Sequence, residues 1–265
     1  AYLANDSAGF QIVSTTSLSS PTLVGTFNTT GSTSGSCVSG NYAYVGDAYA
    51  GLQTLNIANA SAPTRTGNFD TVQYARNAVV SGNYVYLTEG YNGIDIFNVS
   101  NPAVPTWVSA LDTPSDAYSV FVSGAYLYVA DAGSGLQVID VSNAAVPTFA
   151  GSFDTTANAD GVIISGVYAY VSDGSAGLHI INISNPAAPT FIGTYNTPGT
   201  ANGLAVSGNY AYIADHYEGL QVVLISNAAV PTRTGTFNTT GSATNVFVSG
   251  NYAFVSDFNA GLQII

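Results

Sequence analysis

Hydrophobic and polar positions alternate along the chain in short blocks that are typical of β-strands. Ala78-Val79-Val80 is an apolar run, and Tyr84-Val85-Tyr86-Leu87 is a run of β-branched and aromatic residues. Ser81-Gly82-Asn83 lies between the two and has the composition of a tight hairpin turn. Ile94-Asp95-Ile96-Phe97 gives a third strand, and Pro105 opens a fourth. Because helical spacing of apolar residues is absent, the pattern predicts an all-β fold.

This four-strand pattern is an internal repeat of 42 residues, since the phrase Ser-Gly-Asn-Tyr-Ala-Tyr at Ser39 returns as variants at Ser81, Ser123, Ser165, Ser207 and Ser249. Four short strands with turn residues between them are typical of a propeller blade. A parallel β-helix is the rival interpretation, but its coils are usually shorter and lack two-residue hairpin turns. The sequence therefore predicts one β-propeller domain over residues 1–265, with four-stranded antiparallel blades and repeat units of about 1–42, 43–84, 85–126, 127–168, 169–210, 211–252 and a partial 253–265.

The ends of the repeat array predict the number of blades. A proline opens the fourth strand of every complete repeat, which marks that strand as the sheet edge: Pro21, Pro63, Pro105, Pro147, Pro189 and Pro231. The second and third strand types occur seven times, whereas the first and fourth occur six times. We therefore expect seven blades, the first without its first strand and the last without its fourth. The alternative is six blades, with the surplus strand pair disordered or donated to a neighbour.

Charge excludes some partners. The chain has a net charge of −12 and only three cations, Arg65, Arg76 and Arg233. Because affinity for phosphates rests on Lys and Arg, nucleic acid and anionic lipid are not expected partners. No apolar run approaches the roughly 20 residues of a membrane helix, so no membrane span is expected. Cys37 is the only cysteine and aligns with apolar residues in the other repeats, which indicates a core position. Without an initiating Met, the chain is expected to be a segment of a longer one.

One segment resembles a known repeat family. Gly135-Leu136-Gln137-Val138-Ile139-Asp140-Val141-Ser142-Asn143, continued through Pro147, is similar to the LVIVD repeat, and the likeness extends over the whole chain. The Asp that ends the family string is present only at Asp140, and Gln stands second in most copies. The resemblance implies a β-propeller of bacterial or archaeal surface and secreted proteins. It implies no activity, cofactor or catalytic residue.

An acidic position recurs at the end of the second strand, four residues before a glycine: Asp47, Glu89, Asp131, Asp173, Asp215 and Asp257, with Asn5 in the first repeat. We favour a turn motif, in which the carboxylate accepts backbone N–H groups and the glycine is left-handed. The alternative is a cation site, in which hard oxygen ligands converge on Ca²⁺. No loop matches a Ca²⁺-loop pattern. We also expect 13 of the 15 acids to lie on one face, where the turns after the second and fourth strands open.

Side chains that differ between repeats are the better candidates for a binding site. Tyr49, Tyr91 and Tyr217 occupy one turn position, where other repeats have Ser, Gly or Asn, and His216 and Glu218 flank the third. Exposed aromatics beside acids are suited to sugar binding, although single surface tyrosines are common. By contrast, the regular tyrosine pairs of the second strands, such as Tyr42 and Tyr44, indicate packing. The glutamines of the third strands are expected to form hydrogen bonds between blades.

These observations favour a non-enzymatic, extracellular or cell-surface module for surface structure, adhesion or self-assembly, including a filament or matrix subunit. The expected partner is a protein, another copy included, or a neutral glycan. The alternative function is a propeller that binds glycan or Ca²⁺ at its acidic, Tyr-bearing rim. A glycoside-active enzyme is a weaker alternative, because no two carboxyls are singled out as a catalytic pair. No catalytic residue is predicted and no cofactor is expected apart from Ca²⁺ as one option.

Overall fold

The computed structural model describes residues 1–71 and 73–265, and within them 26 β-strands form seven sheets. The described residues fall into two compact units, Ala1–Ala125 with Asp140–Thr148, and Tyr126–Ile139 with Phe149–Ile265. Consecutive strands pair antiparallel, as the short turns between them require. The protein is an all-β propeller of seven blades built from the repeat.

The first unit contains strands β1 to β12. The first sheet has the order β1-β2-β3, with β1 at Tyr2–Ala4, β2 at Phe10–Ser14 and β3 at Thr22–Phe27. The second sheet comprises β4 (Thr33–Ser39), β5 (Tyr42–Asp47), β6 (Leu52–Asn56) and β7 (Thr64–Phe69). The third comprises β8 (Ala78–Ser81), β9 (Tyr84–Thr88), β10 (Ile94–Asn98) and β11 (Thr106–Leu111). Strand β12 is Ser119–Ser123.

The remaining strands continue the repeat. The fourth sheet adds β13 (Tyr126–Ala130), β14 (Leu136–Asp140) and β15 (Thr148–Phe153), and its residues are divided between the two units. The fifth sheet comprises β16 (Gly161–Ser165), β17 (Tyr168–Ser172), β18 (Leu178–Asn182) and β19 (Thr190–Tyr195). The sixth comprises β20 (Gly203–Ser207), β21 (Tyr210–Ala214), β22 (Leu220–Leu224) and β23 (Thr232–Phe237). The seventh has the order β24-β25-β26, at Ala243–Ser249, Tyr252–Asp257 and Gly261–Ile264.

The number of blades predicted by counting strand types in the sequence is confirmed. The first sheet lacks its first strand and the last lacks its fourth, while the sheets between them have four strands. The alternative of six blades is wrong, because the surplus pair belongs to a sheet of its own. The fourth strand forms a sheet edge, as the prolines predict: β11 begins at Thr106, directly after Pro105, and pairs only with β10 in its sheet.

Core packing explains the apolar second and third strands. Leu52 of the second blade packs in one cluster with Val85, Leu87 and Phe97 of the third, so these strands bury side chains between neighbouring blades. Tyr44 and its equivalent Tyr170 are also buried members of such clusters, which confirms the packing role of the second tyrosine of these pairs. The first tyrosine is less buried, and Tyr210 is 39% exposed. Cys37 packs against the same cluster as Tyr44, and burial raises the pKa of its thiol to about 12.

Candidate functional site

The turn after each second strand has the same backbone geometry. At residues 47–51, the Ala50 N–H donates to the Asp47 carbonyl at 2.8 Å, and the Asp47 N–H donates to the Gly51 carbonyl at 2.9 Å. Gly51 has a φ of 70°, a left-handed conformation that costs glycine little. Tyr49 therefore projects from the turn tip and its side chain takes no part in these backbone hydrogen bonds, whereas Ala48 beside it is buried.

The repeated acids lie beneath these turns and are buried, with at most 3% of each residue exposed. In the sixth blade, Asp215 accepts a hydrogen bond of 2.7 Å from the Thr197 hydroxyl and one of 3.0 Å from the Gly199 N–H. Asp173 accepts 2.6 Å and 2.9 Å hydrogen bonds from the equivalent Thr155 and Ala157. Each carboxyl thus ties its own turn to the loop that enters the same blade from the preceding one.

This geometry refines the turn motif predicted for the acids. Backbone N–H groups do bind the carboxylates and the glycines are left-handed, but most of the partners lie about 16 residues upstream rather than in the same turn. Asp257 also accepts from its own turn, at the N–H groups of Asn259 and Ala260. Asn5, the amide member of the series, instead donates to Gln11 at 3.1 Å.

The electrostatics of these acids follow from burial and hydrogen bonding. Burial raises the pKa of Asp215, and the Thr197 and Gly199 donors oppose that rise. At Asp257 burial also acts upward, but four donors, led by the Thr239 hydroxyl, together lower its pKa. Within residues 1–71 and 73–265, no three His, Cys, Asp or Glu side chains converge as a metal ion requires. The arrangement binds loops together, and its acids are not presented to solvent.

The variable turn residues lie at the surface. Tyr49, Tyr91 and Tyr217 are 72%, 77% and 69% exposed, and Phe258 at an adjacent position of its turn is 75% exposed. His216 has a φ of 50°, and its ring meets the Tyr217 ring edge-on at 4.1 Å. Glu218 is exposed beside them. Tyr49 and Tyr91 belong to one unit, whereas His216, Tyr217 and Glu218 form a single turn of the other.

A cluster that the sequence interpretation missed adjoins Tyr49. Its ring meets Tyr74 edge-on at 5.4 Å, and the Arg76 guanidinium lies 5.4 Å from the Tyr74 ring centre and 4.2 Å from that of Tyr118. Arg76 also forms an ion pair of 2.8 Å with Asp116. Gly90, which precedes Tyr91, lies against the same Arg76 and Asp116 side chains. We call the surface formed by these residues and Tyr91 the tyrosine–arginine surface: Tyr49, Tyr74, Arg76, Tyr91, Asp116 and Tyr118.

A signal for this cluster is present in the sequence. The position of Tyr74 carries Ser, Asp, Asn, Thr and Ser in the other repeats, and that of Arg76 carries Ser, Tyr, Asp, Asn and Thr. Both positions lie just before the first strand, in a repeat that is otherwise regular. Tyr49 also differs between repeats, so variation at a repeat position indicates Tyr74 and Arg76 as well as Tyr49.

The glutamines of the third strands do not form the predicted ladder between blades. Gln53 donates its side-chain N–H to the Ala50 carbonyl at 2.7 Å, and Gln137, Gln221 and Gln263 make the equivalent bond, all within one blade. The prediction was wrong, because each of these amides donates to the turn carbonyl three residues upstream in its own blade. Asp95 and His179 replace this glutamine in the third and fifth blades.

These observations define a repeat-built β-propeller with a regular core and a variable turn face. The chain belongs to the LVIVD repeat family, whose model matches residues 1–29, 30–71, 73–113, 114–155, 157–197, 198–239 and 240–265. The family resemblance read from Leu136 onward is thereby confirmed. No protein of curated function matches the sequence.

Solved structures share the fold at low identity. A functionally unknown protein from Desulfotomaculum acetoxidans is similar with a TM-score of 0.77 and 12% identity, over 96% of this chain and 90% of that one. The Cps50 (Swd1) β-propeller domain of Myceliophteria thermophila gives a TM-score of 0.72 at 10% identity, over 88% and 82% of the two chains. BamB from Moraxella catarrhalis gives 0.60 at 15% identity, over 92% and 85%.

Membrane-spanning helices were not expected from the sequence. Among residues 1–71 and 73–265, no helix has the length and apolar character that crossing a bilayer requires.

Proposed function

We propose that this propeller is a non-enzymatic binding module of an extracellular or cell-surface protein, and that it holds a protein partner at the tyrosine–arginine surface. The observation that carries the proposal is the exposure of Tyr49 and Tyr91, 72% and 77%, at turn tips whose backbone does not require them. Ser7 and Ser175 occupy the same turn position in other blades, so a small polar residue satisfies the fold.

The chemistry of the surface supports a protein partner. Tyrosine and arginine are enriched among the residues that dominate protein–protein affinity, because they combine large contact area with polar groups. Arg76 is held in place by two tyrosine rings and the Asp116 carboxylate, so little side-chain entropy would be lost on binding. The net charge of −12 favours a neutral or basic partner. A second copy of this chain would have to overcome like-charge repulsion, and adhesion to another protein is therefore preferred over self-assembly.

The test compares wild-type protein with the double variant Tyr49→Ser/Tyr91→Ser. Both are immobilised and exposed to basic and neutral surface proteins, to a panel of neutral glycans, and to soluble copies of the chain. We expect a protein to be retained by the wild type and bound at least about tenfold more weakly by the double variant. Phe247→Ala is the matched control, since it removes an aromatic side chain that is 66% exposed outside the surface and introduces the residue found at Ala205.

The outcomes separate the alternatives. Retention of a glycan alone would replace the protein partner with a carbohydrate, and retention of the chain itself would favour self-assembly. Equal binding of every probe by the wild type and the double variant would overturn the proposal.

A further inference from the structure

Two blades depart from the repeat at the second position of the third strand, and each has a groove there. In the second blade Gln53 occupies this position, and its side-chain amide donates a hydrogen bond to the turn carbonyl of Ala50. Asp95 and His179 replace it in the third and fifth blades. The grooves, of about 360 and 400 Å³, are lined by equivalent residues 84 positions apart, such as Asp70 and Asp154. Loss of the glutamine therefore accompanies an opening at the same place in both blades.

The groove of the third blade is strongly acidic. Three carboxylates, Asp70, Asp95 and Asp112, line it together with Asn92 and Trp107, and no Lys, Arg or His is among its lining residues. The fifth-blade groove has one carboxylate, Asp154, at these positions. The accumulation of acid is thus a property of one blade and not of the repeat.

An aromatic wall faces these carboxylates. Trp107 is the only tryptophan of the chain and is 52% exposed, and its indole N–H donates to Asp95 Oδ1 at 3.2 Å. That bond fixes the orientation of the ring beside the groove. Other repeats place Leu, Arg or Phe at this position.

A buried acid lies behind the groove. Glu89 is 1% exposed, and its Oε1 atom is buried without a hydrogen-bond partner. Its carboxyl faces Asp95 and Thr71, both of which line the groove. Burial, and then the charge of Asp95, raise the pKa of Glu89 to about 7. Burial also raises the pKa of Asp95, and Asp112 adds to that rise. Glu89 and Asp95 also share a hydrogen bond, and a positive ligand in the groove would offset the negative charge gathered there.

We propose that this groove binds an organic cation, an alkylammonium or guanidinium group, between the Asp70, Asp95 and Asp112 carboxylates and the Trp107 ring. Trp is the best aromatic partner for such a cation, and carboxylates complete its recognition. A metal ion is a poorer fit, because within residues 1–71 and 73–265 no three acidic, His or Cys side chains converge closely enough to hold one. A neutral sugar would leave the repulsion between the carboxylates in place. The inference does not depend on the tyrosine–arginine surface.

Trp107 provides the test, because no other indole contributes to the emission. Its fluorescence is titrated at constant ionic strength with choline, N-acetyl-arginine amide, glucose, N-acetylglucosamine and CaCl₂. We expect saturable binding of at least one organic cation. A response to choline alone indicates a free small ammonium compound, and a response to the arginine derivative indicates a side chain of a partner. Response to a sugar or Ca²⁺ with none to either cation, or response to no probe, would overturn the proposal.

Variants locate the binding. Asp112→Asn introduces the residue found at Asn28 and Asn196 and leaves the Trp107–Asp95 hydrogen bond in place, while Asp95→Gln introduces the glutamine of five other blades. We expect each to weaken cation binding by about tenfold or more, measured by calorimetry so that changes in Trp107 emission do not interfere. His179→Gln, the same change in the fifth blade, should leave the affinity unchanged. Unaltered affinity in both groove variants would contradict the assignment.

Discussion

The Thr197 hydroxyl donates a 2.7 Å hydrogen bond to Asp215, and this bond joins the end of one blade's fourth strand to the end of the next blade's second strand. The pair is separated by 18 residues, and Thr155 with Asp173 repeats it one blade earlier. Thr at this position and the acid in the following blade therefore form a hydrogen-bonded pair that recurs between blades. Its function is to fix the loop between blades.

Removal of the Asp215 carboxyl should destabilise the protein. Asp215→Ala leaves the Thr197 hydroxyl and the Gly199 N–H without their acceptor in a buried site, and unsatisfied buried groups cost about 1–3 kcal/mol each. We expect the free energy of unfolding, measured by urea denaturation, to fall by about 3 kcal/mol. Asp154→Asn, an exposed acid changed to the residue found at Asn196, is the control. A loss below that of the control would show that the loop is held by other contacts.

The fold was predictable from the sequence because the repeat has no insertions. Each strand type could be counted, and residues 253–265, which repeat residues 1–13, showed which types were in excess. The burial of tyrosines such as Tyr44 followed from their recurrence in six of the seven blades, with Phe254 in the last. What recurs in all blades serves the fold, and periodicity reports it directly.

The candidate sites were harder to predict, since repeat position does not reveal which loop a side chain reaches. The role of Asp215 in its turn was expected, but its partner Thr197 lies in a loop whose path depends on the packing of two blades. The groove beside Asp95 depends on side-chain length, because a shorter residue replaces a glutamine that reaches a carbonyl. Such consequences need the three-dimensional arrangement of neighbouring strands.

The Glu89 carboxyl should make stability depend on pH. Its pKa rises from 4.5 to about 7 on folding, so the folded state retains a proton that the unfolded state releases. The contribution of Glu89 to stability is therefore fully present below about pH 4.5 and is lost as pH rises through about 7. The loss is on the order of 2 kcal/mol once solvent screening is allowed for. Glu89→Gln removes this loss.

Thermal melts of wild type and Glu89→Gln across pH 4.5–8 provide the measurement. We expect the variant to be the more stable at pH 8 and the difference to become small at pH 4.5, because the wild-type carboxyl is then protonated in the folded state and about half protonated in the unfolded state. The difference in melting temperature between the two proteins at each pH gives the effect of Glu89 separately from that of the other titrating groups. A difference that is constant with pH would contradict the raised pKa.

The His179→Gln variant should be more stable than the wild type. The introduced side chain can donate to the Ala176 carbonyl, as Gln53 does to Ala50, a gain of about 1 kcal/mol. Burial lowers the pKa of His179, an effect that the Asp173 charge opposes. The unfolded state then binds the proton more readily, so wild-type stability is lost as pH falls below about 6.5. Melting temperatures at pH 5 and pH 8 should show the larger gain at pH 5, and a gain confined to pH 8 would refute this reasoning.

Two glycines at one repeat position should respond differently to the same substitution. A Cβ at Gly193 would clash with the Ala228 backbone oxygen of the loop in the next blade, whereas a Cβ at Gly235 would meet only Val222 atoms, at 3.7 Å and beyond. Neither residue has a positive φ, so backbone strain does not enter. Gly193→Ala must displace a loop and should cost about 1–3 kcal/mol of unfolding free energy.

Gly235→Ala has room for its methyl group and should change stability by less than about 0.5 kcal/mol, because alanine also restricts the unfolded chain. Urea denaturation of the two variants in parallel measures the close approach of neighbouring blades directly, since chemistry and strand position are matched. Equal losses would mean that the glycine is required by its own strand. A larger loss for Gly193→Ala than for Gly235→Ala would show that the contact with the loop that carries Ala228 is what requires the glycine.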